Sequence, residues 1–201
     1  MDQLELLKKD WKSKESHLPK LSKDDISKLI LKRSSSIVKW IFIISILEFL
    51  LPHVVYLFID YEEATKHYNK TYIIVTTVIT YSVAIYFIYL FYKNYSSISA
   101  SQSTKELMSS ILKTRRTVKF YIWYTLVMGF ITGLISIYFE LHSEEYISTL
   151  HANANITLIY IMAVIFLIVL IGLLWLFYQL IYGILLRKLN KNYKELLESD
   201  L

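Results

Sequence analysis

The chain has no cysteine, only two prolines and only four glycines in 201 residues. Without cysteine there is no disulfide, no thiolate metal site and no cysteine nucleophile, and the redox compartment stays open. No glycine-rich loop able to cradle a phosphate occurs, as expected with so few glycines. No nucleophile stands beside a positioned base, and no mixed aromatic and basic motif points to nucleic acid. The most informative shortage is patterned. Four runs, 37–59, 72–92, 120–139 and 156–186, contain no Arg or Asp and, beyond Lys39 at the start of the first, no Lys.

Each run is near or above the ~20 residues that cross a hydrocarbon core. Hydrophobic residues make up 55% of the chain, too many for an ordinary soluble domain. A β-barrel is excluded, because its strands would read as alternating segments of about ten residues rather than continuous apolar stretches. Four transmembrane helices are therefore predicted. The fourth run exceeds the core at about 1.5 Å per residue, so it should tilt or project, with 187–201 continuing as helix. The 17 tyrosines suit a chain whose rings lie partly in hydrocarbon with hydroxyls at polar partners or headgroups.

Orientation follows from Lys and Arg near the span ends. Lys20, Lys23, Lys28, Lys32 and Arg33 precede the first span, and Lys39 stands at its start. Between the second and third lie Lys93, Lys105, Lys113, Arg115, Arg116 and Lys119, and Arg187, Lys188, Lys191 and Lys194 follow the fourth. The opposite loops hold Lys66 and Lys70 against Asp60, Glu62, Glu63, Glu140, Glu144 and Glu145. Both termini and the central segment are predicted cytoplasmic, with the first span retained, since no small-residue cleavage site accompanies it. Trp11, Lys32, Arg33, Arg115, Arg116, Arg187 and Lys188 are the candidates for contact with anionic headgroups or a partner, and the formal charge of +5 agrees with that.

Serine followed three residues later by an acid marks a capped helix start, and it occurs twice, at Ser22 with Asp25 and at Ser103 with Glu106. The matched segments lead into Val38-Lys39-Trp40 and Val118-Lys119-Phe120, and the outer loops share the pairs Glu62-Glu63 and Glu144-Glu145. Two copies of one unit are expected: capped cytoplasmic helix, span, acidic loop, span. Copies that each cross twice have the same orientation, related by an axis along the membrane normal. Leu4, Leu7 and Trp11 form an apolar stripe on an N-terminal helix, and Leu186, Leu189, Tyr193 and Leu196 form another beyond the fourth span. Lipid, a protein partner or mutual packing could each cover these stripes.

The fold class read from these features is an all-α membrane protein. It has four transmembrane helices as two tandem same-orientation hairpins, with amphipathic cytoplasmic helices. Residues 1–35 are the amphipathic helices, 36–186 the four-helix domain with a cytoplasmic loop at 93–119, and 187–201 a helical tail.

Glu48 is the sharpest polar signal, at the centre of the first span. An ionised carboxylate there costs about 2.5–3.5 kcal/mol on insertion scales, so it must be protonated, paired or wetted. Pro52 cannot donate to the Glu48 carbonyl, and Tyr81 lies at similar depth on the second span. Glu48, Pro52 and Tyr81 are the candidate intramembrane polar site. By helical spacing His53 should point away from Glu48. Gly129 and Gly133 form a GxxxG in the third span, and with Gly172 they are candidates for close helix packing. His67 after Glu63, and His142 between Glu140 and Glu144, invite a metal reading. Zinc needs three or four convergent ligands, and exposed loops account for the same residues, so no metal or cofactor is assigned. Asn69-Lys-Thr71 and Asn155-Ile-Thr157 read as sequons beside spans.

The stretches Leu6-Leu-Lys-Lys-Asp-Trp11, Leu18-Pro-Lys-Leu-Ser22 and Ser34-Ser-Ser-Ile-Val-Lys-Trp40-Ile resemble an uncharacterised family of four-span inner-membrane proteins of Bacteroidetes. Some of its members carry the label beta-carotene monooxygenase. The spans contain no set of iron-ligating histidines, so that activity is not carried over. The resemblance implies a bacterial inner membrane.

The leading expectation is a non-enzymatic inner-membrane protein, an interaction, scaffold or signalling subunit engaging a protein partner through its cytoplasmic helices or bundle face. The alternative is a small transporter or a proton- or cation-coupled device centred on Glu48. A membrane enzyme is third.

Overall fold

The structure, a computed structural model, describes residues 22–59, 65–149 and 155–200. Those residues are all-helical and contain no strand. Four long helices, α1 (Lys23–Tyr56), α2 (Lys70–Ser99), α3 (Thr104–Leu141) and α5 (Ile156–Asp200), are joined by a short α4 (Glu144–Thr149) before α5. Each long helix has a segment long and apolar enough to cross a membrane. Neighbours pack in the cyclic order α1, α2, α3, α5, with α1 and α3 meeting weakly across the diagonal. Two antiparallel hairpins thus stand side by side in the same sense.

The helix starts are set by side-chain caps. The Ser22 Oγ accepts from the Asp25 backbone N–H at 3.2 Å, and Asp25 Oδ2 accepts in return from the Ser22 N–H at 3.2 Å, a complete capping box. The Ser22 hydrogen bond holds the exposed Asp25 carboxyl below its usual range. At Ser103 the hydroxyl accepts from the Glu106 N–H at 3.3 Å, while Glu106 reaches back to the Gln102 N–H. The two sequon asparagines are caps as well. Asn69 Oδ1 accepts from the Thr71 N–H at 2.8 Å, and Asn155 Oδ1 accepts from those of Thr157 and Leu158 at 3.1 and 3.3 Å.

The long helices contain 34, 30, 38 and 45 residues, which is roughly 45–68 Å at 1.5 Å per residue against a hydrocarbon core of about 30 Å. All four therefore extend past the core, and the excess gathers at the basic end of the bundle. There Ile30, Ile98, Leu107, Ile111, Leu189 and Leu196 are fully buried, in a core continuous with Val38, Ile41, Phe91 and Val118. Residues 93–119, expected as the cytoplasmic connection that contains the second capped helix, are helix on both sides of a turn at 100–103, and the capped helices run unbroken into their spans. The physical reason is continuity of helical phase. The apolar positions of each capped segment fall on the face that its span turns toward the other helices.

Small hydroxyls let the helices approach in this region. Ser97 and Ser110 are 2.8 Å apart, Ser35 and Ser99 3.0 Å, and the buried Asn192 donates to Ser34 Oγ at 2.9 Å. Leu189 and Leu196 are in the core, with Leu186 and Tyr193 packed against it, so the stripe beyond the fourth span is covered by its own bundle. Lys32, Arg33, Arg116, Arg187 and Lys188 are exposed on the outside, Arg115 is half-buried, and Arg33 approaches Glu195 at 3.8 Å. Trp11 and its stripe lie outside the described residues.

The acidic end is tied differently. Lys66, before α2, pairs with Glu145 on α4, and His67 Nε2 lies 3.7 Å from the same carboxylate. The Lys66 hydrogen bond holds the exposed Glu145 carboxyl below its usual range. Among the described residues no three His, Asp or Glu side chains converge.

Candidate functional site

Above the buried core the bundle loosens into a cavity of about 870 Å³ bounded by α1, α2 and α3. Glu48, Phe87 and Tyr121 line its inner end, and Tyr72 and Ile135 border it toward the acidic end. α2 presents Thr76, Thr77 and Thr80, α1 adds Ser45, and α3 presents Thr125 and Thr132. The spacing explains the placement. Thr76 and Thr80 are one helical turn apart, and Thr125, Met128 and Thr132 recur at three and four residues, so each set shares a face.

Glu48 is held by one aromatic hydroxyl. Tyr121 on α3 donates to Glu48 Oε2 at 2.5 Å. Tyr178 and Tyr182, one turn apart on α5, place their ring centroids 6.3 and 6.1 Å from that of Tyr121. The Tyr182 hydroxyl and Glu48 Oε1 are both buried and neither completes a hydrogen bond among the described residues. Phe87 and Phe91 pack edge-on to Tyr121 at 5.1 and 5.4 Å and close the floor. Tyr121 is thus both the support for the carboxyl and part of the layer that separates it from the basic end.

Interhelical hydrogen bonds in membranes contribute about 0.6 kcal/mol on average, with a maximum near 1.7, and this one ends on a buried carboxyl. Tyr121→Phe is expected to lower stability in detergent by about 1–2 kcal/mol, read as a fall in thermal midpoint. An unchanged midpoint would show that the carboxyl finds another donor at no cost.

Tyr81, grouped with Glu48 and Pro52 by depth, lines the same cavity. Its hydroxyl lies 2.6 Å from His53 Nε2, and His53 Nδ1 lies 2.9 Å from the Phe49 carbonyl. A carbonyl only accepts, so Nδ1 carries the proton, and in the neutral ring Nε2 accepts from Tyr81. His53, expected to point away from Glu48, lines the same cavity. The cavity wraps more than one face of α1, so a position about 140° from Glu48 around the helix still borders it. α1 continues through Pro52, which also lines the cavity.

The glycines divide. A Cβ at Gly129 would lie 3.5 Å from Ile171, and one at Gly133 would lie 2.5 Å from Leu167 Cδ1, so the GxxxG face packs on α5 inside the bundle. Gly172 faces open space, with nothing within 4 Å of an added Cβ, and it is not a packing glycine among the described residues. Depth along a span does not specify facing.

Three contributors escaped the sequence reading: the Tyr121, Tyr178 and Tyr182 cluster, His53, and the threonine faces. Tyr178 and Tyr182 carried a usable signal in their one-turn spacing, as did Thr76 and Thr80.

No curated protein and no solved structure matches the chain. One family matches residues 24–201, a range that takes in all four long helices but the first residue of α1, the cavity and the buried core. The chain belongs to that family, described as a domain of unknown function (DUF8845).

Proposed function

We propose that this protein is a small transporter that holds its ligand in the cavity at Glu48, within a multi-pass arrangement whose basic end is cytoplasmic. The observation that carries the reading is the cavity itself. It has about 870 Å³ of space at mid-span, within the range of small-molecule sites, with mixed hydroxyl and aromatic walls and an intramembrane carboxyl at the inner end. The layer of Phe87, Phe91 and Tyr121 beneath it, continuous with the buried core, supports a state closed toward the basic end. The excess of Lys and Arg at the basic end supports its cytoplasmic placement, and a bacterial inner membrane fits the same asymmetry.

The scaffold reading loses one of its supports. The stripe Leu186, Leu189, Tyr193 and Leu196, for which lipid, a partner and mutual packing were all open on sequence grounds, packs into the protein's own core.

Because the chain has no native cysteine, single cysteines report without background. Thr80→Cys and Thr132→Cys, in the cavity wall, are expected to react with a charged, membrane-impermeant thiol reagent added on the acidic side. Phe166→Cys, 64% exposed on α5, faces hydrocarbon and is expected to stay unlabelled. Cavity cysteines as inert as Phe166→Cys would make the space a lipid-filled recess and remove the transporter reading.

A further inference from the structure

We infer that the ligand of this cavity is a lipophilic organic cation, an amine or onium group carried on an apolar body. The inference rests on the transporter reading and narrows it to a substrate class. The wall contains one formally charged side chain, Glu48, and neither Lys nor Arg. An organic anion would meet a lone acid in a low-dielectric space, and a strongly hydrated inorganic cation would find too few oxygen ligands around it.

Aromatic faces supply the second element of recognition. Phe49, Tyr72, Tyr81, Phe87, Tyr121 and Tyr124 line the space, and Phe87 sits 5.1 and 5.6 Å from Tyr121 and Tyr124 at the carboxyl end. Ring faces attract a cation through their quadrupole, most strongly when the ion has lost its water, and they pack equally well on its apolar substituents. A carboxyl beside clustered rings therefore suits a diffuse, weakly hydrated positive charge. His53 does not oppose it in the neutral tautomer its partners assign, with the proton on Nδ1 toward the Phe49 carbonyl and Nε2 facing Tyr81 as an acceptor. The threonine hydroxyls are neutral and orient as donor or acceptor, so they tolerate a range of bodies without adding charge.

The test compares tetraphenylphosphonium with its neutral relative triphenylphosphine oxide. Binding to the detergent-purified, full-length protein is read by tryptophan fluorescence and by calorimetry. Both probes are expected to bind the native chain, and Glu48→Gln is expected to weaken the phosphonium by about tenfold or more while leaving the oxide unchanged. Oxide binding thereby verifies the fold of the variant. Should Glu48→Gln bind neither probe, Glu48→Asp decides. Retained phosphonium binding in that variant supports the inference, and oxide binding without phosphonium binding overturns it. If Glu48→Gln leaves both affinities unchanged, the cationic class is overturned and the cavity reading stands. If neither probe binds the native chain, the cavity reading falls together with the class.

Discussion

Leu189→Ala is expected to lower the stability of the detergent-solubilised protein by about 2–5 kcal/mol, whereas Leu180→Ala, earlier on the same helix, is expected to change it by less than about 0.5 kcal/mol. The substitution and the helix are the same, and the solvent differs. Leu189 is fully buried in the part of the bundle that projects past the hydrocarbon core, where truncation leaves a void and loses transfer from water. Leu180 is 65% exposed on the outer face of the span. Its side chain stays in an apolar medium whether or not the helices associate, so the hydrophobic term nearly vanishes. Thermal unfolding followed by circular dichroism measures both. Equal losses at the two positions would mean that the face carrying Leu180 is covered by another protein surface.

The same division of solvents explains what could be read from the chain. Spans were legible because about twenty residues without charge have one stable fate in a membrane, and their order follows from short connections. The caps were legible because serine followed by an acid three positions on satisfies two backbone donors whatever the helix packs against. Facing within the membrane was not legible in the same way. A soluble helix declares its inner face by its polar residues, but in lipid both faces are apolar, and Phe87 in the core differs little in type from Phe166 outside. Glu48 was conspicuous by its cost, yet its partners were not, because Tyr121, Tyr178 and Tyr182 are three among 17 tyrosines that suit a membrane anyway. The same ambiguity put Tyr81 beside Glu48 on depth alone, although its hydroxyl meets His53. The packing of the basic end was hidden for another reason. The capped helix at Ser103 was legible, but its sparse apolar positions, such as Leu107 and Ile111, do not by themselves show that they share one core with Ile98.

Glycine facing gives the sharpest test of packing within the span, because Gly133→Leu and Gly172→Leu are matched in everything except surroundings. Both replace glycine by leucine in an apolar helix, and both gain somewhat less than the ~0.8–1.0 kcal/mol of intrinsic helix propensity that separates glycine from alanine. At Gly133 an added Cβ lies 2.5 Å from Leu167 Cδ1 and 3.4 Å from its Cγ, so a full leucine must displace α5 from α3. Overpacking of that kind costs about 1–3 kcal/mol, occasionally more. At Gly172 an added Cβ meets nothing within 4 Å. Gly133→Leu is therefore expected to melt well below the native protein, and Gly172→Leu at or slightly above it. Since Leu167 presents the flexible end of its side chain, Gly133→Ala should cost less, and combining it with Leu167→Ala should remove the clash while opening a small void. The unequal outcome follows only if α3 and α5 meet through Gly133 and leave Gly172 to lipid. A Gly172→Leu protein as unstable as Gly133→Leu would instead require a second helical surface seated against that face of α5, and would make α5 an assembly surface.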